Sequence, residues 1–391
     1  MTGFSLLRNA ALVVSLGPIV LAGGTAAVFG EEAWKDWNVF STGHTDLRTD
    51  YEPESDRWSM KIDRGDSGDP GTGDEILTPG RTILLVTDAA KRTLDSDPPE
   101  DFSFLGEEGD TYYRILTSEE EGVLFLGFNG YGVPTGTFEG DLGGEFYVEL
   151  TDFAGAGEFF LYTGGPNMLM DTRQDPPPYG EKREFAGGHS HQNWVFREPG
   201  IHLLELTPHG TLASDGTVST GDPTLFFVLV DPSPADWWRL DTFRENAKSP
   251  EAELTGDASG DGRPNLLAYA LGYDPKGPAE RYLPRPGIVE SEGREHLSLV
   301  FRKPRGGGGT DDRSDLVYRV EAGVDLTEWE ALEYGGDSAW EEIDPDYDGT
   351  RRVRAIDPEP LENHERRYMR LVVEWAPPDR DDQESVGGES R

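Results

Sequence analysis

The sequence predicts an all-β protein: two β-sandwich domains, Ig-like or jelly-roll-like, joined by a short helical connector with an EF-hand-like loop. Three observations predict it. Short alternating apolar and polar runs, separated by Gly, Pro and Asp clusters, fill residues 34–230. The same alternation returns over residues 297–375. Between them lies a stretch with helical spacing and an acidic, glycine-bearing loop.

The first block offers strands at 58–62, 82–86, 123–128, 145–150, 158–162, 201–206 and 224–230. Residues 63–78 and 164–181 are rich in Gly, Pro and Asp and read as loops. After Asp231-Pro232-Ser233-Pro234, a short amphipathic helix is expected over 237–246, with Asp236 as N-cap and Trp237, Leu240 and Phe243 on one face. A second helix over 266–271 should stop at Gly272. Strands at 297–301, 316–320 and 368–373 make up the smaller second sandwich. The expected boundaries are therefore 1–30 for an export signal, 31–232 and 281–376 for the sandwiches, 233–280 for the connector and 377–391 for a disordered polar tail.

Composition narrows the setting. Arg8, the apolar run 10–20 and the small residues 25–30 have the order of a secretory signal, and Pro18 breaks a run already short for a membrane span. No other run approaches spanning length, so the mature chain is expected to be exported without a transmembrane segment and to reside at the cell surface, in the periplasm or outside the cell. The absence of cysteine rules out a disulfide framework, which leaves apolar burial, backbone ladders and bound ions to stabilise the fold. A formal net charge of −40 repels phosphate backbones and favours cations, so nucleic acid is not an expected partner.

In a chain with seven histidines, two clusters carry metal-ligand spacing: His44 with Asp46, and His189 with His191. On a strand, residues i and i+2 project from one face, so each pair can present two donors side by side. Trp194 and Phe196 would face the core while His189, His191 and Asn193 face away, and Leu47 with Thr45 would turn inward opposite His44 and Asp46. Three imidazoles and a carboxylate form a nitrogen-oxygen set suited to zinc or manganese. His202 is in phase with Leu204 and Leu206 and reads as a packed residue.

The connector loop follows the calcium pattern with Asp257, Ser259 and Asp261 at the first, third and fifth places. Gly262 falls at the turn, Arg263 would offer its carbonyl, and Asn265 stands at the ninth place. The twelfth place is Ala268 instead of a bidentate glutamate, which predicts a weak calcium site. Asp344-Pro345-Asp346-Tyr347-Asp348-Gly349 repeats the spacing but reads as an acidic hairpin turn. The protease-like Gly65-Asp66-Ser67-Gly68 and the adhesion-like Arg64-Gly65-Asp66 lie in a Gly/Pro loop without supporting context.

The residues 41–46 (STGHTD), Trp58, the run 158–162, Gly188 to Phe196 (GHSHQNWVF), Pro199-Gly200, Asp215-Gly216 and the closing strand 226–230 resemble the choice-of-anchor M domain, also described as the actinobacterial surface-anchored protein domain. That resemblance, over roughly 37–230, implies an extracellular β-sandwich on a surface-displayed protein, some of its kind associated with metal-uptake transporters. It also implies that the histidine motifs carry over to His44, Asp46, His189 and His191. Residues 257–274, 316–320, 324–329 and 368–371 resemble a tail module of secreted bacterial proteins and imply display or attachment. The expected function is thus a noncatalytic, exported binding or display protein with a divalent-metal site, partnered by the ion and by cell-envelope components or a metal-uptake system. The alternative is a carbohydrate-binding or carbohydrate-active secreted protein, supported by exposed aromatics such as Tyr131.

Overall fold

The computed structural model describes residues 15–16, 37–65, 75–304, 315–332, 340–345 and 350–376. Strands account for 50% of the chain and helix for 13%, so the protein is mostly β. Apart from Ser15–Leu16, the expected export signal lies outside the described residues, as do the tail, the 66–68 part of the protease-like and adhesion-like motifs, and 346–349 of the acidic turn. Ser15–Leu16 is a two-residue strand paired in parallel with Val372 and Val373.

Two compact units emerge, the first spanning residues up to Pro232 from Trp37 among those described, and the second running from Ser233 and including Ser15–Leu16. The first contains three sheets. One runs in the order Glu181–Phe185, Glu145–Gly155, Gly200–Thr211, Thr224–Val230, Thr82–Val86 and Asn38–Phe40, with Val218–Thr220 paired to Gly200–Thr211. A second runs Asn167–Asp171, Phe159–Thr163, Asn193–Phe196, Thr111–Ile115 and Lys91–Thr93. The third, which builds the candidate site, runs His189–His191, Leu124–Gly132, Gly43–Glu52, Arg57–Arg64 and Glu75–Leu77.

Pleating explains how this third sheet has two characters. Thr45, Leu47, Thr49 and Tyr51 are buried together with Leu124, Leu126, Phe128, Trp58, Met60 and Ile62. Leu47, Leu126, Phe128, Trp58 and Ile62 enter one apolar core with Phe146, Leu150, Leu204 and Phe226 of the first sheet and Phe159, Trp194 and Phe196 of the second. The alternate residues, His44, Asp46 and Arg48 on one strand and Phe125, Gly127 and Asn129 on the next, share the opposite face. Gly43–Glu52 pairs in parallel with Leu124–Gly132, whereas His189–His191 pairs antiparallel to it on its other side.

The chain changes sheets at Gln192. His189–His191 belongs to the third sheet and Asn193–Phe196 to the second. Asn193, expected beside the histidines, is instead buried and accepts from the Arg114 guanidinium while donating to the Tyr162 carbonyl. Local alternation holds across the switch, since Trp194 and Phe196 do enter the core.

In the second unit, helix Pro234–Phe243 starts earlier than the sequence suggested. Ser233 is the N-cap, its hydroxyl accepting from the Asp236 N–H, and the Asp236 carboxylate accepts in return from the Ser233 N–H. Pro234 at the first helical position explains the shift, because its fixed φ suits a helix start and its missing N–H costs no bond there. Helix Asn265–Leu271 ends at Gly272, which has a positive φ of 71°. The segment expected to be a connector is built into a core: Ala235, Leu254, Leu266, Tyr269 and Leu271 pack with Leu297, Leu299, Phe301, Val353 and Leu371. Two sheets complete the unit, Leu316–Gly323 between Tyr368–Trp375 and Glu330–Leu332, and Arg285–Ser291 through Arg294–Pro304 and Thr350–Pro360 to Trp340–Pro345.

His202 is fully buried between Phe153 and Phe196, and its Nε2 donates to the Glu198 carbonyl at 2.9 Å. Burial pushes its imidazole down to about 4, although the Glu198 bond works the other way. The unfolded chain therefore takes up a proton below roughly pH 6.5 while the folded chain does not until about 4. Stability should fall as pH drops through that window. For His202→Gln, which does not titrate, urea unfolding should lose about 2 kcal/mol less than the wild type between pH 7 and 4.5; an equal loss in both proteins counts against this origin.

Candidate metal centre

The two-residue periodicity of three adjacent strands brings four side chains to one point. His44 is registered with Phe125, Asp46 with Gly127, His191 with Gly127 and His189 with Asn129. Asp46 and His191 thus flank the same glycine from opposite sides. A Cβ at Gly127 would lie 2.5 Å from Asp46 Oδ1 and 2.8 Å from His191 Nδ1, so the missing side chain is what lets the donors meet.

His44 Nε2 lies 3.1 Å from both His189 Nε2 and His191 Nε2, and these two are 2.8 Å apart. Asp46 Oδ1 lies 3.6 Å from His44 Nε2 and 3.9 Å from His191 Nε2, with Oδ2 3.6 Å from His189 Nε2. Ligands about 2.0–2.1 Å from a tetrahedral zinc ion stand about 3.3 Å from one another, a spacing these distances bracket. The four residues form a group that could hold a metal ion.

Proton counting supports a cation. An imidazole Nε2 carries either one hydrogen or one lone pair, so no assignment turns all three edges of the nitrogen triangle into hydrogen bonds. His44 Nδ1 sits 3.3 Å from the Gly65 carbonyl, which can only accept. In the neutral ring that bond puts the hydrogen on Nδ1 and leaves a lone pair on Nε2, the arrangement a metal-binding histidine needs. Asp46 Oδ1 is buried and accepts no hydrogen bond from the described residues. A cation at the centre satisfies every one of these atoms.

Burial raises the Asp46 carboxyl above its ordinary range, against the opposing influence of His44, His189 and the Asn129 hydrogen bond, and with a smaller push from Asp63. Burial likewise drives His191 down to about 4, keeping its ring neutral. Asn129 Nδ2 donates at 3.2 Å to both Asp46 Oδ2 and Asp63 Oδ2, and its Oδ1 accepts from the Tyr131 N–H. Arg48 then bonds Asp63 and Asp50. Phe125 stacks on His191 at 3.7 Å and 7°, and Tyr131 stands 6.1 Å from the His189 ring. Tyr131, expected as an exposed aromatic for sugar, is a half-buried neighbour of the imidazole cluster.

Sequence spacing found the four donors but missed Phe125, Gly127, Asn129 and Asp63. The shared face of Phe125, Gly127 and Asn129 held a usable signal, an asparagine and a glycine at alternate places in an apolar strand. Nothing in the sequence placed that strand between the two histidine segments.

The connector loop is arranged differently. The Asp257 carboxylate accepts from the backbone N–H groups of Gly260, Asp261 and Gly262 and from the Ser259 hydroxyl, which hold it below its usual range. Asp261 pairs with the Arg263 guanidinium at 2.5 Å. Asn265, expected as the ninth-place ligand, is buried with its amide donating to the Glu251 and Glu253 carbonyls and its oxygen accepting from the Ala258 N–H. Its side chain fastens the following helix to the preceding turn and does not serve a cage of loop oxygens.

The sequence matches no family model, and comparison with curated proteins returns no relative.

Filling the central gap should be costly. The His191 ring is stacked against Phe125 and the Asp46 carboxylate is buried, so Gly127→Ala is expected to lose about 1–3 kcal/mol of stability in urea unfolding. Gly80→Ala, where a Cβ meets nothing within 4 Å, is the control. It should stay within about 0.5 kcal/mol of the wild type. Equal stability of all three proteins counts against the close approach.

Proposed function

We propose that the protein is an exported, noncatalytic binding protein whose first unit captures a divalent cation, zinc or manganese, through His44, Asp46, His189 and His191. The observation that carries this reading is the convergence of three imidazole nitrogens within 3.1 Å of one another, beside a buried carboxylate oxygen that has no hydrogen bond among the described residues. Three nitrogens and one oxygen at near-tetrahedral spacing favour zinc over an ion that prefers six oxygens. The surrounding charge of −40 concentrates cations near the surface and makes an anionic partner unfavourable.

Within this reading the sheets of each unit form sandwiches, and the first unit serves capture while the second serves display at the cell envelope or beside a metal-uptake system. The resemblance of 37–230 to the choice-of-anchor M domain supports that setting. Calcium at 257–265 has less in its favour, since Asp257, Asp261 and Asn265 are already engaged by hydrogen bonds and an ion pair within the fold.

Metal binding is tested on chelator-stripped full-length protein. Zinc at a hundred times its dissociation constant stabilises a folded state by about 2.7 kcal/mol, which for a unit of this size raises the melting temperature by roughly 5–11 °C. The wild type should show that shift with one equivalent bound, and the His189→Ala/His191→Ala variant should show none. No shift in the wild type, or the same shift in both, defeats the assignment.

A further inference from the structure

Ser190, between the two histidines, faces away from the metal donors and into the protein. Its hydroxyl donates to Glu184 Oε2 at 2.8 Å and accepts from Gln192 Nε2 at 3.0 Å. Glu184 Oε2 also receives Lys182 Nζ at 2.6 Å, and Lys182 donates a further bond to the Arg183 carbonyl. Lys182 is 4% exposed and Glu184 2%. An ion pair at this depth gives up its hydration, and replacing such a pair with apolar residues is often neutral or stabilising. Fold stability alone therefore does not explain why it is there.

Two roles account for the pair. Glu181–Phe185 is an edge strand, and inward-pointing charge discourages such strands from pairing with other chains. The contacts, however, reach further than the edge. The carboxylate that Lys182 neutralises is the one that tethers Ser190, the middle residue of a three-residue strand with a metal donor at each end. At Gln192 this strand leaves its sheet for another, and its ladder against Leu124–Gly132 is short, three paired positions preceded by the backbone bonds of Gly187 and Gly188 with Gly130. A side-chain tether on its inner face fixes the rotation about the strand axis, and with it the aim of both imidazoles.

We propose that Ser190 and Glu184, with Lys182 paired to Glu184, are positioning residues of the metal centre that hold His189 and His191 in register with Asp46. This rests on the metal-binding reading. Outer residues that orient metal ligands typically change affinity by about 10–100-fold. Ser190→Ala should therefore weaken zinc binding by about 10-fold or more in competition with a chromophoric chelator, and should broaden the visible absorption of the cobalt-substituted protein. Ser190→Thr, which keeps the hydroxyl, should restore both. Lys182→Met/Glu184→Leu removes the charge and the acceptor and leaves apolar side chains of similar size, and should lose zinc affinity similarly without a fall in the melting temperature of the ion-free protein.

Zinc affinity within twofold of the wild type in both Ser190→Ala and the double variant, with unchanged cobalt spectra, would overturn the proposal and leave the pair as an edge-strand guard. A wild type that binds neither zinc nor cobalt is a different result, which defeats the metal reading itself.

Discussion

A missing side chain governs the candidate site. Gly127 lies in a central strand, where a larger residue would pack better, yet Asp46 on one side and His191 on the other occupy the volume a Cβ would need. Glycine in a strand interior costs backbone entropy and forfeits packing. Here it allows donors from strands on both sides of the central one to come within a few ångströms. The ladder then fixes who meets whom, since shifting either neighbour by one residue would turn its donors into the core.

Around that gap, the polar groups are arranged in depth. Asp46 is nearly inaccessible, and the outer oxygen of its carboxylate is turned by Asn129, which is itself fixed by the Tyr131 N–H and shares its amide with Asp63. Arg48 compensates Asp63, so the negative charge behind the imidazoles is graded and not simply accumulated. Apolar rings close the sides, with Phe125 flat against His191. Low-dielectric walls of this kind strengthen the pull of the carboxylate on any cation placed among the nitrogens.

Much of this was legible in the sequence because it depends on short-range periodicity. The i and i+2 spacing of His44 with Asp46 and of His189 with His191 gave both faces, and Leu47, Trp194 and Phe196 took the core positions that alternation assigned them. What was not legible is long-range. Parallel pairing of 43–52 with 124–132 leaves no local mark, so Gly127 and Asn129 could not be connected to the histidines. The change of sheet at Gln192 likewise leaves no local mark, because alternation continues across it while Asn193 acquires different neighbours. At the connector the error was of another kind: loop spacing matched a calcium pattern, but Asn265 is used by the turn before its helix. The helix start moved to Ser233 because capping chemistry overrode the apolar stripe from which the start had been read.

The four donors come from sequence positions up to 147 residues apart, in a chain without cysteine. An ion bridging them would close a very large loop, and cross-links that close large loops restrict the denatured ensemble most, by about 4–5 kcal/mol for a loop near this length. In that respect the cluster has the topology of a disulfide made from coordinate bonds, reversible by chelation and indifferent to thiol-reducing conditions. A protein built this way would couple the integrity of its first unit to the supply of a trace element.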